Sequence, residues 1–153
     1  MANKIGAVMA TVGELTDIDS TARNPLGTVA TDAAGNEYIY LLGVGSVIAG
    51  TVVTYDEAFA TTRMAANAVG PVAVAQAAVV ANKYGWFMRK GTCSAEAVTV
   101  ADNKSCYADA NAGAIDDSGA AGDLIVGMWT RSTDAAGLAT VQLAYPYITD
   151  VLG

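Results

Sequence analysis

The sequence predicts an all-β protein: a compact β-sandwich or β-barrel of short antiparallel strands with an extended N-terminal arm. Three observations lead there. Short runs rich in Val, Thr, Ile and aromatic residues recur at fairly regular spacing, separated by turn clusters such as Asp32-Ala-Ala-Gly35-Asn36, Asp102-Asn103-Lys104 and Asp134-Ala-Ala-Gly137. No stretch sustains a helical stripe; residues 56–60 and 65–68 offer one turn each, too little to be stable alone. Finally, 53% of the 153 residues are apolar and only 15% charged, with many small side chains. Such a composition fits sheets packed on both faces, or a surface covered by neighbouring subunits.

Taken in order, residues 1–25 show neither a clean stripe nor sustained alternation and end in Asp17, Asp19, Ser20, Arg23, Asn24 and Pro25. They read as an extended arm. An ordered backbone without a core loses conformational entropy for little return, so the arm should order against another surface; a disordered tail and a first edge strand are the alternatives. Residues 26–153 form the β-rich domain, with strands expected at 38–42, 51–55, 61–64, 72–77, 86–89, 96–100, 105–108, 124–130 and 138–145. Within it, Gly70 to Gly91 is the organising stretch. Pro71 suits the first residue of a strand, after which Val72 and Val74 fall on one face and Ala73 and Ala75 on the other. Asn82, Lys83 and Gly85 supply a turn, and Trp86-Phe87-Met88 returns as an apolar strand that Arg89, Lys90 and Gly91 bring to an end.

A net charge of −7 disfavours a nucleic-acid binder, since phosphate contacts need clustered Lys and Arg. Only Lys83, Arg89 and Lys90 cluster, as a solvated strand end or a docking site for an acidic partner. The uncharged stretches 38–55 and 64–82 are not membrane spans: Gly43, Gly45 and Gly50 break the first, and Asn67, Gly70, Pro71 and Gln76 the second. The N-terminus lacks the apolar core of a secretory signal, so the chain is expected to stay where it is made.

Chemistry is sparse. With no histidine, Ser-His-Asp and Cys-His nucleophiles and mixed zinc sites are excluded. Gly43-Val-Gly45-Ser-Val-Ile48 begins like a dinucleotide fingerprint but lacks its third glycine and leads into a strand. The stretch from Asp109 fails as a calcium loop, with Ala114 at the turn-glycine position and Ala120 where a bidentate Glu belongs. Asp109, Asp116, Asp117 and Asp123 read as solvated acidic turns, with a hard-cation loop the rarer alternative. Nothing calls for a cofactor or a catalytic role. Cys93 and Cys106 read as buried thiols, with a disulfide the alternative that geometry decides. Tyr84, Trp86, Phe87 and Trp129 are expected in core or intersubunit packing. The aromatic set of Tyr38, Tyr40, Trp86, Trp129, Tyr145 and Tyr147 keeps a carbohydrate-binding module in view, and a pilus or fibre subunit is the third class.

The run Ala73-Val74-Ala75-Gln76-Ala77-Ala78, then Tyr84-Gly85-Trp86 and Gly91, then Ala112-Gly113-Ala114-Ile115-Asp116-Asp117 leading to Ile125-Val126-Gly127, resembles the small capsid decoration (cement) proteins of tailed bacteriophages. The resemblance spans residues 26–146. It implies a virion protein, made in the host cytoplasm and seated on the outer surface of the expanded head. It further implies a homo-oligomer, trimer before dimer, with an extended segment pinned to the major capsid protein. Ile5, Val8, Met9, Val12, Leu15 and Ile18 are the arm residues expected to make that contact. No catalytic residues carry over.

Overall fold

The computed structural model describes residues 13–151. Ten strands form one antiparallel sheet: β1 (Val29–Thr31), β2 (Glu37–Leu42), β3 (Val52–Tyr55), β4 (Thr61–Arg63), β5 (Gly70–Ala75), β6 (Tyr84–Glu96), β7 (Ser105–Ala108), β8 (Ile115–Asp116), β9 (Leu124–Thr130) and β10 (Leu138–Ile148). No helix occurs among the described residues. The two helical candidates are tight turns: the Asp56 carboxylate accepts from the Ala58 and Ala60 amides, and Ala65–Ala68 closes through one backbone bond beside Asn67 at φ 56°. Asn and Asp side chains favour such turns by bonding the local backbone and by tolerating the left-handed region.

The long strand β6 organises the molecule. One edge pairs with β2; the other pairs first with β5 and then, from Lys90 onward, with β10. The expectation that Arg89, Lys90 and Gly91 end this strand is therefore corrected. A register shift in the ladder with β2 lets the strand continue, Gly91 takes φ 125°, and β10 supplies new partners where β5 leaves off. The strand expected at 96–100 does not form, since the chain departs after Ala97. The short β1 and β8 were not anticipated.

Strands β5 and β10 both run antiparallel to β6, so in a flat sheet they would be parallel to each other. They pair antiparallel, Tyr147 with Pro71 and Ile148 with Gly70. The sheet must bend sharply here. Gly91, Gly127 (φ 81°) and Tyr145 (φ 50°) place left-handed residues on three adjacent strands at the bend.

Two closed rings of pairings result, sharing β6. The first runs β6, β10, β9, β7, β8 and closes through a bridge between Ala97 and Ile115. The second runs β2, β6, β5, β3, β4 and closes through a bridge between Leu42 and Ala60, reinforced by the Thr61 hydroxyl on the Leu42 carbonyl at 2.8 Å. Each face of the shared layer has its own core. On the inner side Tyr38, Tyr40, Val72, Val74, Trp86 and Met88 meet Ile125, Met128, Val141 and Leu143. On the outer side Ile39, Leu41, Ala73, Ala75 and Phe87 meet Val47, Val53 and Val79. The alternation of Val72 and Val74 against Ala73 and Ala75 thus divides as the sequence requires.

Candidate functional site

The expected packing residues separate into three kinds. Trp86 and Phe87 are buried on opposite faces of β6, one in each core. Tyr84 is half-buried and stacks on Tyr40 at 6.4 Å, while Tyr40 also tilts against Trp86 at 5.1 Å. Trp129 lies on the outer side of β9 and is 38% exposed. Of the remaining aromatics, Tyr38 and Tyr40 are buried, whereas Tyr145 and Tyr147 are exposed. Local composition does not separate Trp86 from Trp129; only the strand's partners do.

The stretch read as an arm is described from residue 13, and its described part lies against the body. Asp19 and Tyr84 exchange two backbone bonds at 2.9 and 3.0 Å at the start of β6. The Tyr40 hydroxyl donates to Asp19 at 2.5 Å, and the Arg23 guanidinium bonds Asp17 and Asp19, each at 2.6 Å. Burial and the bond to Asp19 push the Tyr40 phenol up to about 12. The Asp17 carboxyl is held below its ordinary value by the Glu14 amide and by Arg23. Leu15 and Ile18 remain exposed on this pinned segment. Ile5, Val8, Met9 and Val12 lie outside the described residues.

The basic trio does not assemble. Lys83 bonds the Ser20 hydroxyl at 2.8 Å, and Arg89 pairs with Glu37. Six residues of strand separate the two, about 20 Å. The cysteines are free thiols. Cys93 pairs in register with Val141 on β10 and Cys106 with Ile125 on β9, so they sit on strands that are not neighbours. Burial pushes both thiols up to about 12.

The acidic residues are occupied by the backbone. Asp109 accepts from the Asn111 amide, Asp116 from Asp117 and Ser118, Asp117 from Ala101, and Asp123 from Asn67 and Ala120. No group of three potential metal ligands gathers among the described residues. The fingerprint-like Gly43 packs against another loop: a Cβ there would run into the carbonyl of Val79, while one at Gly45 would meet open space.

Two surfaces therefore stand out. One is the pinned N-terminal segment with Leu15 and Ile18. The other is the outer side of the sheet beyond the bend, where Trp129 sits opposite Gln142 and Gln142 opposite Thr92; Tyr147, paired with Val126 and Pro71, lies on the near side of the bend. No protein-family model matches the chain, and no curated protein matches it in sequence.

Proposed function

We propose that this chain is a structural virion protein that binds the outside of an expanded phage head and cements neighbouring capsomers. The observation that supports it best is the anchorage of the N-terminal segment. Asp19, held by Tyr84, Tyr40 and Arg23, keeps the exposed Leu15 and Ile18 at one end of β6. This gives the body a fixed apolar contact from which residues 1–12 can add to a sheet edge of the major capsid protein. Many copies acting together stabilise a shell even where each contact is weak. A homo-oligomer, trimer before dimer, fits the charge-poor composition.

The test is co-sedimentation with expanded heads that lack the protein, beside compact procapsids. Saturable binding to expanded heads alone is expected. It should be lost in a variant lacking residues 1–12 and weakened in Leu15→Ser/Ile18→Ser, both checked for unchanged thermal melts. Failure of the intact chain to bind any head overturns the proposal.

A further inference from the structure

β1 is the one strand that closes into neither ring of pairings. One of its edges pairs with β2: Val29 stands opposite Ile39, Ala30 opposite Tyr38 and Thr31 opposite Glu37. The flanking bonds fix which groups that edge uses. The Tyr40 amide donates to the Thr28 carbonyl at 2.9 Å and the Asp32 amide to the Asn36 carbonyl at 3.1 Å, so Thr28, Ala30 and Asp32 turn their backbone groups toward β2. In an antiparallel pair such groups alternate along the strand, and the N–H and C=O of Val29 and Thr31 therefore point the other way. No described residue bonds them, and both side chains are exposed, Val29 at 44%.

An open edge is a template for another strand, and natural edges are blunted by Lys, by Pro or by a bulge. Val29-Ala30-Thr31 has none of the three. The template is short: it offers only the backbone groups of Val29 and Thr31. Few bonds suit a tethered segment better than a free partner, which would lose its freedom of motion for the same return.

The chain supplies such a segment. The described residues begin at Gly13, where a Cβ would lie 2.8 Å from the Arg23 guanidinium. The Arg23 amide donates to the Tyr40 hydroxyl at 3.2 Å, and Tyr40 is bonded to Thr28 at the start of β1. From Arg23 to Val29 the chain spans at most about 20 Å, whereas residues 1–12 reach about 40 Å. Those residues contain no proline and, Lys4 apart, no charged side chain, and they carry Ile5, Val8, Thr11 and Val12, which strands favour. A segment that enters from the Val29 end and runs back toward Thr31 lies antiparallel to β1.

We infer that in the free protein residues 1–12 form an antiparallel strand on the open edge of β1 of the same chain. A second copy offers the same segment, yet a short tether holds the chain's own at roughly millimolar effective concentration, above that of free copies in solution. The edge is then a storage site. The segment that adds to a capsid edge in the reading above is kept on β1 until such an edge is presented; only this hand-over rests on that reading. Because β1 lies outside both rings, release of the added strand opens the edge locally and leaves the global melt unchanged.

Amide hydrogen exchange of the free, full-length protein, resolved by NMR, reads the edge directly. The Val29 and Thr31 amides should exchange roughly tenfold or more slowly in the full chain than in a variant lacking residues 1–12, at every protein concentration. Val8→Pro/Met9→Pro removes two adjacent N–H groups, and so one that faces β1 in either register; it should lose the protection as truncation does. Equal exchange in the full and truncated chains, or indifference to the proline pair, overturns the inference. Protection that falls on dilution overturns it too, since the added strand then comes from a second copy. Head co-sedimentation is read separately: a protected edge without head binding sinks the capsid reading alone, and head binding with an unprotected edge sinks this inference alone.

Discussion

The two halves of the sheet's outer side are built from the same strands and differ in what lies over them. Along the first half of β6, Phe87, Ile39, Leu41, Ala73 and Ala75 are sealed beneath Val47, Val79 and the Phe59 loop. Along the second half, Thr92, Ser94 and Gln142 meet solvent. The strand records this in its own sequence. Gly85-Trp-Phe-Met88 is buried on both faces and reads as one apolar run, whereas Gly91 to Glu96 alternates. A continuous run marks a strand between two cores, and alternation marks one with a free face.

The largest test of that contrast is chemical. Cys93 and Cys106 point inward under the bare half, and burial places both thiols at about 12 instead of 9. Each should hold about a thousandfold less thiolate at neutral pH than an ordinary cysteine, and react correspondingly slowly with a chromogenic disulfide until urea unfolds the chain. Rapid labelling of the buried Cys106 would show that the bare half opens on its own, whereas the half-buried Cys93 should label first without any opening. Next come paired truncations. Phe87→Ala should cost about 3–5 kcal/mol in denaturant unfolding, and Trp129→Ala under about 1 kcal/mol. Equal losses would erase the distinction between the halves.

Smaller effects are expected at the anchored end. Tyr40→Phe removes a hydrogen bond to the Asp19 carboxylate and should cost about 1.5–3 kcal/mol, read from the same unfolding curves. The Tyr38 and Tyr40 phenols are raised from 10 to about 12, both chiefly by burial and then by a carboxylate partner. Their contribution is therefore complete below pH 10 and lost as pH rises through about 12, so the urea midpoint should fall across that window, less steeply in Tyr40→Phe. The smallest contrast is between two glycines. Gly43→Ala forces the backbone at Val79 to move and should cost about 1–3 kcal/mol. Gly45→Ala meets open space and should leave the melting temperature nearly unchanged.

Much of this architecture was legible locally. The 105–108 and 124–130 strands form with the expected bounds, and the Asp32–Asn36 turn closes the β1–β2 hairpin through Asp32 bonds to the Ala34 and Asn36 amides. Other features depend on residues distant in sequence. Arg89-Lys90-Gly91 looks like a stop because two charges precede a glycine; β10 turns it into a continuation. The bridges from Ala97 to Ile115 and from Leu42 to Ala60 leave no periodic trace, so ring closure could not be read. The exposed face was half-legible: its aromatics were singled out, but Tyr38, Tyr40 and Trp86 belong to the interior, and the tether from Tyr145 to Glu37 spans 108 residues of sequence.

One consequence follows from the length of β6. It runs from Tyr84, bonded to the anchored Asp19, to Glu96 at the edge of the bare face, and is flanked by β2 along one stretch and β10 along the next. Tension applied between those ends acts along the strand axis. The ladder bonds then share the load in shear, instead of parting one at a time as in a peeled hairpin. Single-molecule stretching between residues 19 and 94 should meet a high rupture force, and stretching across β9 and β10 at their hairpin end a low one. A protein held at one end of this strand and tugged at the other has its stiffest direction where the strain falls.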